Sequence, residues 1–247
     1  MGCFIAPPNF FMKSIAHRRA FTLLEIVVIL GIIALFLALL VPFAIRSRQG
    51  GRSAACVNNM KAIGKAMAAY AADNEGRLPG PLTMDQYPVE SAGTPPREGQ
   101  LLKYIAKYFD GPGGARAAFT YPAWKTAQRA TDSAVFLANV KTVLPYEQSP
   151  WGEMTEKSKG PLKADDLRTV KYTIGEDTRT AEVAKFWALT EADQVLARNL
   201  GAGKGDAWVL HLPANAVHVS HRNALYFDWH VDRLVDMYST MSPPTAD

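Results

Sequence analysis

Cysteine is scarce in this chain. Cys3 and Cys56 are the two thiols in 247 residues, and Cys3 falls in a segment expected to be removed, so no internal disulfide framework is available. That scarcity does not assign a compartment, because an exported protein can lack bridges. Charge is missing from a second place: between Ile26 and Ile45 there is no Asp, Glu, Lys or Arg, and only Gly31 and Pro42 interrupt the aliphatic and aromatic run. Acid is missing from a third, the segment before Phe21, which carries Lys13, Arg18 and Arg19. Without those three the formal charge of +4 becomes 4 − 3, about +1, too little to argue for nucleic acid as a partner. No P-loop, G-x-S-x-G, H-E-x-x-H or dinucleotide fingerprint occurs, and neither does an internal repeat or a low-complexity tract. Enzyme activity is therefore unsupported, and no cofactor is expected.

What is present divides unevenly. Hydrophobic residues make up 48% and charged residues 20%, values at which most of the chain can bury a core. The length suits one domain with appendages or two small ones, and one domain with a helical stalk is preferred. At about 1.5 Å per residue, the run from Ile26 to Ile45 spans roughly the 30 Å of a bilayer's hydrocarbon layer. A cleaved secretory signal would also place basic residues before an apolar stretch. This run is too long for that, and Phe43-Ala44-Ile45-Arg46-Ser47-Arg48 offers no small-x-small cleavage pattern after it. Glu25 stands at the edge of the apolar run. A carboxylate there is costly in lipid unless a cation meets it, which marks it as functional; solvation at the headgroup level is the plainer alternative. Lys13, Arg18 and Arg19 precede the run while Arg46, Arg48 and Arg52 follow it, so the positive-inside rule does not fix an orientation.

Arg18-Arg19-Ala20-Phe21-Thr22-Leu23-Leu24-Glu25-Ile26 resembles the processing site of type IV pilin-like proteins, the pseudopilins of type II secretion included. The features are a basic leader, a small residue before the cut, Phe as the new first residue and Glu as the fifth. Met12 as the start would give a leader of the usual short length. Pro42 lies at the twenty-second mature position, where the family carries a helix-bending proline. Ala20 departs from the family's Gly. The resemblance implies cleavage between Ala20 and Phe21 and N-methylation of Phe21 by a prepilin peptidase. It also implies that Glu25 meets the amino terminus of a neighbouring copy, that Glu25 and Pro42 serve assembly, and that the head faces the periplasm or the exterior from the inner membrane. The implied partners are that peptidase, further pseudopilins, copies of this chain and a secretion or pilus assembly platform. From physics alone Pro42 removes one backbone hydrogen bond, to the Ala38 carbonyl, and bends the helix; a tolerated bend without function stands equally open.

Beyond the apolar run the pattern becomes one-sided. Cys56, Met60, Ile63, Met67 and Tyr70 are spaced four, three, four and three apart, a single stripe along a helix that should pack on a sheet. Asp73-Asn74-Glu75-Gly76 and Pro79 signal its end. Gly50-Gly51 either loosens the helix between membrane and head or is an ordinary surface break. Cys56 is read as a small buried residue of the stripe, since a lone thiol makes a poor metal site. Further on, Leu101, Leu102, Ile105 and Phe109 predict a short amphipathic helix closed by Asp110-Gly111-Pro112-Gly113-Gly114. Val135–Val140, Thr169–Ile174 and Val183–Leu189 read as strands, and Leu144–Lys163 as a long loop.

Near the C-terminus Trp208–Leu212, Ala216–Val219 and Ala224–Phe227 are strand-like, predicting a terminal antiparallel unit. His218 precedes Asp228 with nine residues between, and His230-Val231 follow. Together with the stalk segment from Cys56 to Asn74, this resembles a bacterial subgroup of pilin-like chains that carry an H-x9-D-G motif, with Trp229 replacing the glycine. If the subgroup needs that glycine for positive φ, the turn here must differ. His218, His221, Asp228 and His230 have metal-ligand chemistry. On an unbroken strand, however, His218 and His221 would face opposite sides, so backbone-bonding structural roles are favoured over metal. Asp228, Asp232 and Asp236 fit a helix face as well as a calcium loop, and no EF-hand pattern occurs.

The sequence thus predicts an α+β protein, pilin-like, with one long N-terminal helix on a small antiparallel sheet. Its segments are a leader at 1–20, a membrane helix at 21–45, a stalk at 46–78 and a head at 79–247. Assembly into a type II secretion pseudopilus or type IV pilus is the expected function. A membrane-anchored binding module that never polymerises is one alternative, and a metal hydrolase built on the C-terminal histidines is another.

Overall fold

The structure, a computed structural model, describes residues 22–88, 97–111, 113–120, 122, 133–155, 159–174, 177–182, 186–203, 205–218 and 221–234. Ala20 and Phe21 lie outside these residues. Two compact units are present, Met1–Arg46 and Ser47–Asp247.

Helix α1 is Leu23–Asp73. In the first unit its side chains from Leu23 to Val41 are all exposed, and the 19 residues Leu23–Val41 are long and apolar enough to cross a membrane. In the second unit, Gly50 and Gly51 lie within the helix. Cys56, Met60, Ile63 and Met67 are buried, the last three fully, and Tyr70 is partly buried against the same cluster. The periodic stripe is therefore the packing face, and each fully buried apolar side chain on it contributes about 1.5–3 kcal/mol.

The helix stops at Asp73 rather than at residue 78. Glu75 and Gly76 turn left-handed, with φ of 56° and 80°. The Gly76 N–H donates to the Ala71 carbonyl at 2.8 Å and the Asn74 side chain donates to the Tyr70 carbonyl at 2.7 Å. These bonds satisfy carbonyls that a helix end leaves open.

Among the described residues, the further α-helices and strands are β1 (Asp85–Gln86), α2 (Leu101–Ile105), α3 (Gly114–Ala118), β2 (Phe136–Ala138), β3 (Thr169–Ile174), β4 (Asp177–Glu182), β5 (Trp187–Glu191), α4 (Gln194–Asn199), α5 (Ala207–Leu210), β6 (Arg222–Tyr226) and β7 (Val231–Leu234). A five-stranded sheet runs β1-β2-β5-β6-β7, and β3-β4 form a separate pair. Every pairing is antiparallel. Side chains alternate between the sheet's two faces, as a period of two requires. Phe136, Ala138, Leu225 and Phe227 join the α1 stripe, whereas Leu137, Ala224 and Tyr226 join Leu196, Leu200, Val209 and Leu212 from the α4–α5 side. A register shift between Trp187 and Leu189 on β5 puts both Ala188 and Leu189 on the α1 side, the local effect of a bulge. Gly64 lets α1 approach closely, since a Cβ there would come within 2.9 Å of Leu225 Cδ1.

The chain is thus mixed α and β, with an N-terminal apolar helix and a small antiparallel sheet. Two strand expectations fail. Trp208–Leu212 is helical over Ala207–Leu210, with Val209 and Leu212 buried and Leu210 60% exposed, a spacing of three rather than two. Residues 216–218 form no strand, and Val219 lies outside the described residues. Leu101, Leu102 and Ile105 form the buried face of α2 as expected. The third expected strand begins at Trp187, and residues 183–185 lie outside the described set.

Candidate functional site

Two places gather chemistry. At the N-terminal end, Thr22 precedes α1, and its Oγ1 accepts the Glu25 backbone N–H at 3.2 Å. Thr22-Leu23-Leu24-Glu25 is a capping-box sequence, with the hydroxyl on an otherwise unpaired N–H and the acid at the third helical position. A carboxylate in the first turn also faces the positive end of the helix dipole. Glu25 is thus the one acidic side chain of the 19-residue segment Leu23–Val41, which is exposed throughout. The sequence reading singled out Glu25 but missed Thr22, although the T-x-x-E spacing was visible. Pro42 lies within α1, and its side chain is outside the described residues.

The second place is where β5 ends beside β6. Glu191, the last residue of β5, is 1% exposed. One of its oxygens, Oε1, accepts the Asn223 side-chain amide at 2.9 Å, and the other accepts the Asn223 backbone N–H, also at 2.9 Å. His218 Nε2 lies 3.1 Å from Oε1. Cys56, reaching in from α1, completes a trio whose ligand-type atoms all lie within 4.8 Å of one another. Two residues on, Asp193 is equally buried but differently partnered. Its Oδ1 accepts the Leu196 N–H at 2.9 Å, capping α4, and it forms an ion pair with Arg222. Two buried carboxylates thus stand side by side, Asp193 with a guanidinium and Glu191, among the described residues, with no Lys or Arg in ion-pair reach.

His218 and His221 do not take opposite sides. The chain turns at 217–218, and their rings stack 5.4 Å apart at 14°. The parity argument failed because it assumed an extended strand. His221 is held below the usual histidine pKa, first by burial, then by the Arg233 charge and by His218, with Glu191 acting the other way.

The motif's other half closes the β6–β7 hairpin. The Trp229 N–H donates to the Tyr226 carbonyl and the Tyr226 N–H to the His230 carbonyl, both at 2.9 Å. Trp229 itself has φ of 70°. This is a three-residue loop with its last residue left-handed, the position that glycine fills most easily. Tryptophan adopts this left-handed backbone at a cost of about 1–2 kcal/mol, and its ring packs partly buried against the main core. Asp228 accepts the His230 backbone N–H at 3.3 Å and also contacts the His230 ring. That ring stacks on Tyr226 at 4.3 Å. Burial, with Asp232 and Asp228 adding, raises the Tyr226 pKa above 10.0.

His218, Asp228 and His230 therefore split into two pairs: His218 with the Glu191 side chain, and Asp228 with His230 inside one turn. The backbone bond of Asp228 stays within the turn, at the His230 N–H. Glu191, Asn223, Asp193 and Arg222 went unnoticed in the sequence. Asp228 and Asp232 are exposed, and Asp236 lies outside the described residues.

Comparison with protein-family models, with curated proteins and with solved structures gives no match.

Proposed function

We propose that the chain is a pilin-like subunit. A prepilin peptidase cuts it before Phe21 and methylates the new amino terminus. Its apolar helix then holds it in the inner membrane with the head outside the cytoplasm. Polymerisation into a type II secretion pseudopilus or a type IV pilus follows through α1. The observation that carries this reading is Glu25, a lone carboxylate in the first turn of a helix whose side chains are apolar and exposed over Leu23–Val41. In hydrocarbon such a charge is stable only against a cation. The amine released at Phe21 on a neighbouring copy supplies one, four residues upstream of Glu25, and the pairing sets the axial step between subunits. The pilin-like fold belongs to this proposal: an N-terminal helix whose second part packs on an antiparallel sheet supports it. No catalytic role is assigned.

A second reading has one specific observation in its favour. Because the Glu25 N–H is capped by Thr22, the acid could serve the helix start alone, and the chain would be a non-polymerising anchored binding module. Mass spectrometry of the N-terminus of chain purified from membranes tests the proposal. A methylated Phe21 as first residue is expected, and an intact leader overturns it.

A further inference from the structure

Glu191 is partnered differently from its neighbour Asp193. Both carboxylates are 1% exposed, and burying a negative charge without a cation is strongly unfavourable. Asp193 has Arg222. Glu191 has two amide donors from Asn223 and the His218 ring, a neutral group unless protonated. Among the described residues, Cys56 Sγ, from a third element, completes a trio of ligand-type atoms with Glu191 and His218.

We propose that Cys56, Glu191 and His218 bind a divalent transition metal of the zinc class. Thiolate, carboxylate and imidazole are the three donor types zinc takes at about 2.0–2.3 Å. Donors at those bond lengths lie within a few ångströms of each other, as these do within 4.8 Å. The thiolate and the carboxylate together would cancel the ion's double charge in a buried place. Asn223 anchors Glu191 through both of its oxygens, the outer support that metal-binding carboxylates characteristically have. Binding displaces the thiol proton of Cys56, and His218 coordinates as a neutral ring, so affinity falls as pH falls. The ion would tie α1, the end of β5 and the loop before β6 at one point. Cys56 alone is a poor ligand set, and sequence reasoning set it aside on that ground; Glu191 and His218 come to it only through the fold. This inference does not depend on the pilin reading.

Cobalt reports the ligands directly, because a thiolate bound to Co2+ gives a near-ultraviolet charge-transfer band that oxygen and nitrogen donors do not. The full chain carrying Cys3→Ser, purified in detergent and stripped with chelator, would be titrated with Co2+ alone. The expected result is a thiolate band that saturates at stoichiometric metal, is displaced by Zn2+, and disappears in Cys56→Ala. His218→Gln should weaken binding at least tenfold. Both variants should keep the circular dichroism spectrum of the metal-stripped parent. Absence of the band in the Cys3→Ser chain, which needs no further variant to interpret, overturns the proposal, and so does a band that survives Cys56→Ala.

Discussion

Two stretches of α1 share a backbone and almost nothing else. Over Leu23–Val41 the helix is apolar on every side and exposed on every side; over Cys56–Tyr70 it is apolar along one stripe, and that stripe is buried. In the first stretch all positions around the axis are equivalent, so packing against the chain's own core cannot distinguish one from another. Only a departure in kind, the carboxylate of Glu25, carries positional information there. In the second stretch angular position decides everything, and a change in side-chain volume matters more than a change in charge. A helix whose apolar surface is continuous suits a solvent of lipid, whereas a striped helix needs a partner surface of the same protein.

The sharpest way to break this comparison is Glu25→Gln. Glutamine can still occupy the third position of a capping box, so helix initiation survives while the charge is lost. Loss of crosslinked ladders between copies in membranes is expected, with the unfolding midpoint of the head unchanged. Ladders as strong as the parent's would leave Glu25 a capping residue and favour the non-polymerising anchor.

A smaller effect, confined to the head, is expected from Arg222→Leu. Removing the guanidinium strands Asp193 as a buried charge and should cost about 3–5 kcal/mol, read from urea denaturation. Membrane association should be untouched; if it fell in step with stability, the independence of the two stretches would be refuted.

The smallest effect concerns alkaline pH. Because the Tyr226 pKa is raised by burial, the folded chain keeps the phenol proton to higher pH than the unfolded chain does. Its contribution is intact below the ordinary value of 10.0 and is lost as pH climbs from there toward the folded pKa. The slope is at most about 1.4 kcal/mol per pH unit. Tyr226→Phe should flatten that part of a stability profile, and an unchanged slope would place the alkaline loss elsewhere.

Legibility in the sequence follows the range of the physics. The α1 stripe, its stop near Asp73, the buried face of α2 and the β3 boundaries depend on neighbours within a turn or two, and they read directly. Trp208–Leu212 misled because a five-residue apolar run has no decisive period, and helix or strand there is settled by packing of Val209 and Leu212 against α4. The cluster at Glu191 was illegible for a different reason. His218 and Glu191 are 27 residues apart, Cys56 comes from far earlier in the chain, and only the order of strands in the sheet brings them to one corner. The His218–His221 stacking depended on a turn whose signal is weak, and the Trp229 turn on a backbone hand that a side-chain letter does not announce.

That last residue has a consequence for the hairpin itself. Glycine at 229 would ease the left-handed backbone but leave the core without the indole ring, so backbone comfort and core packing pull in opposite directions at one position.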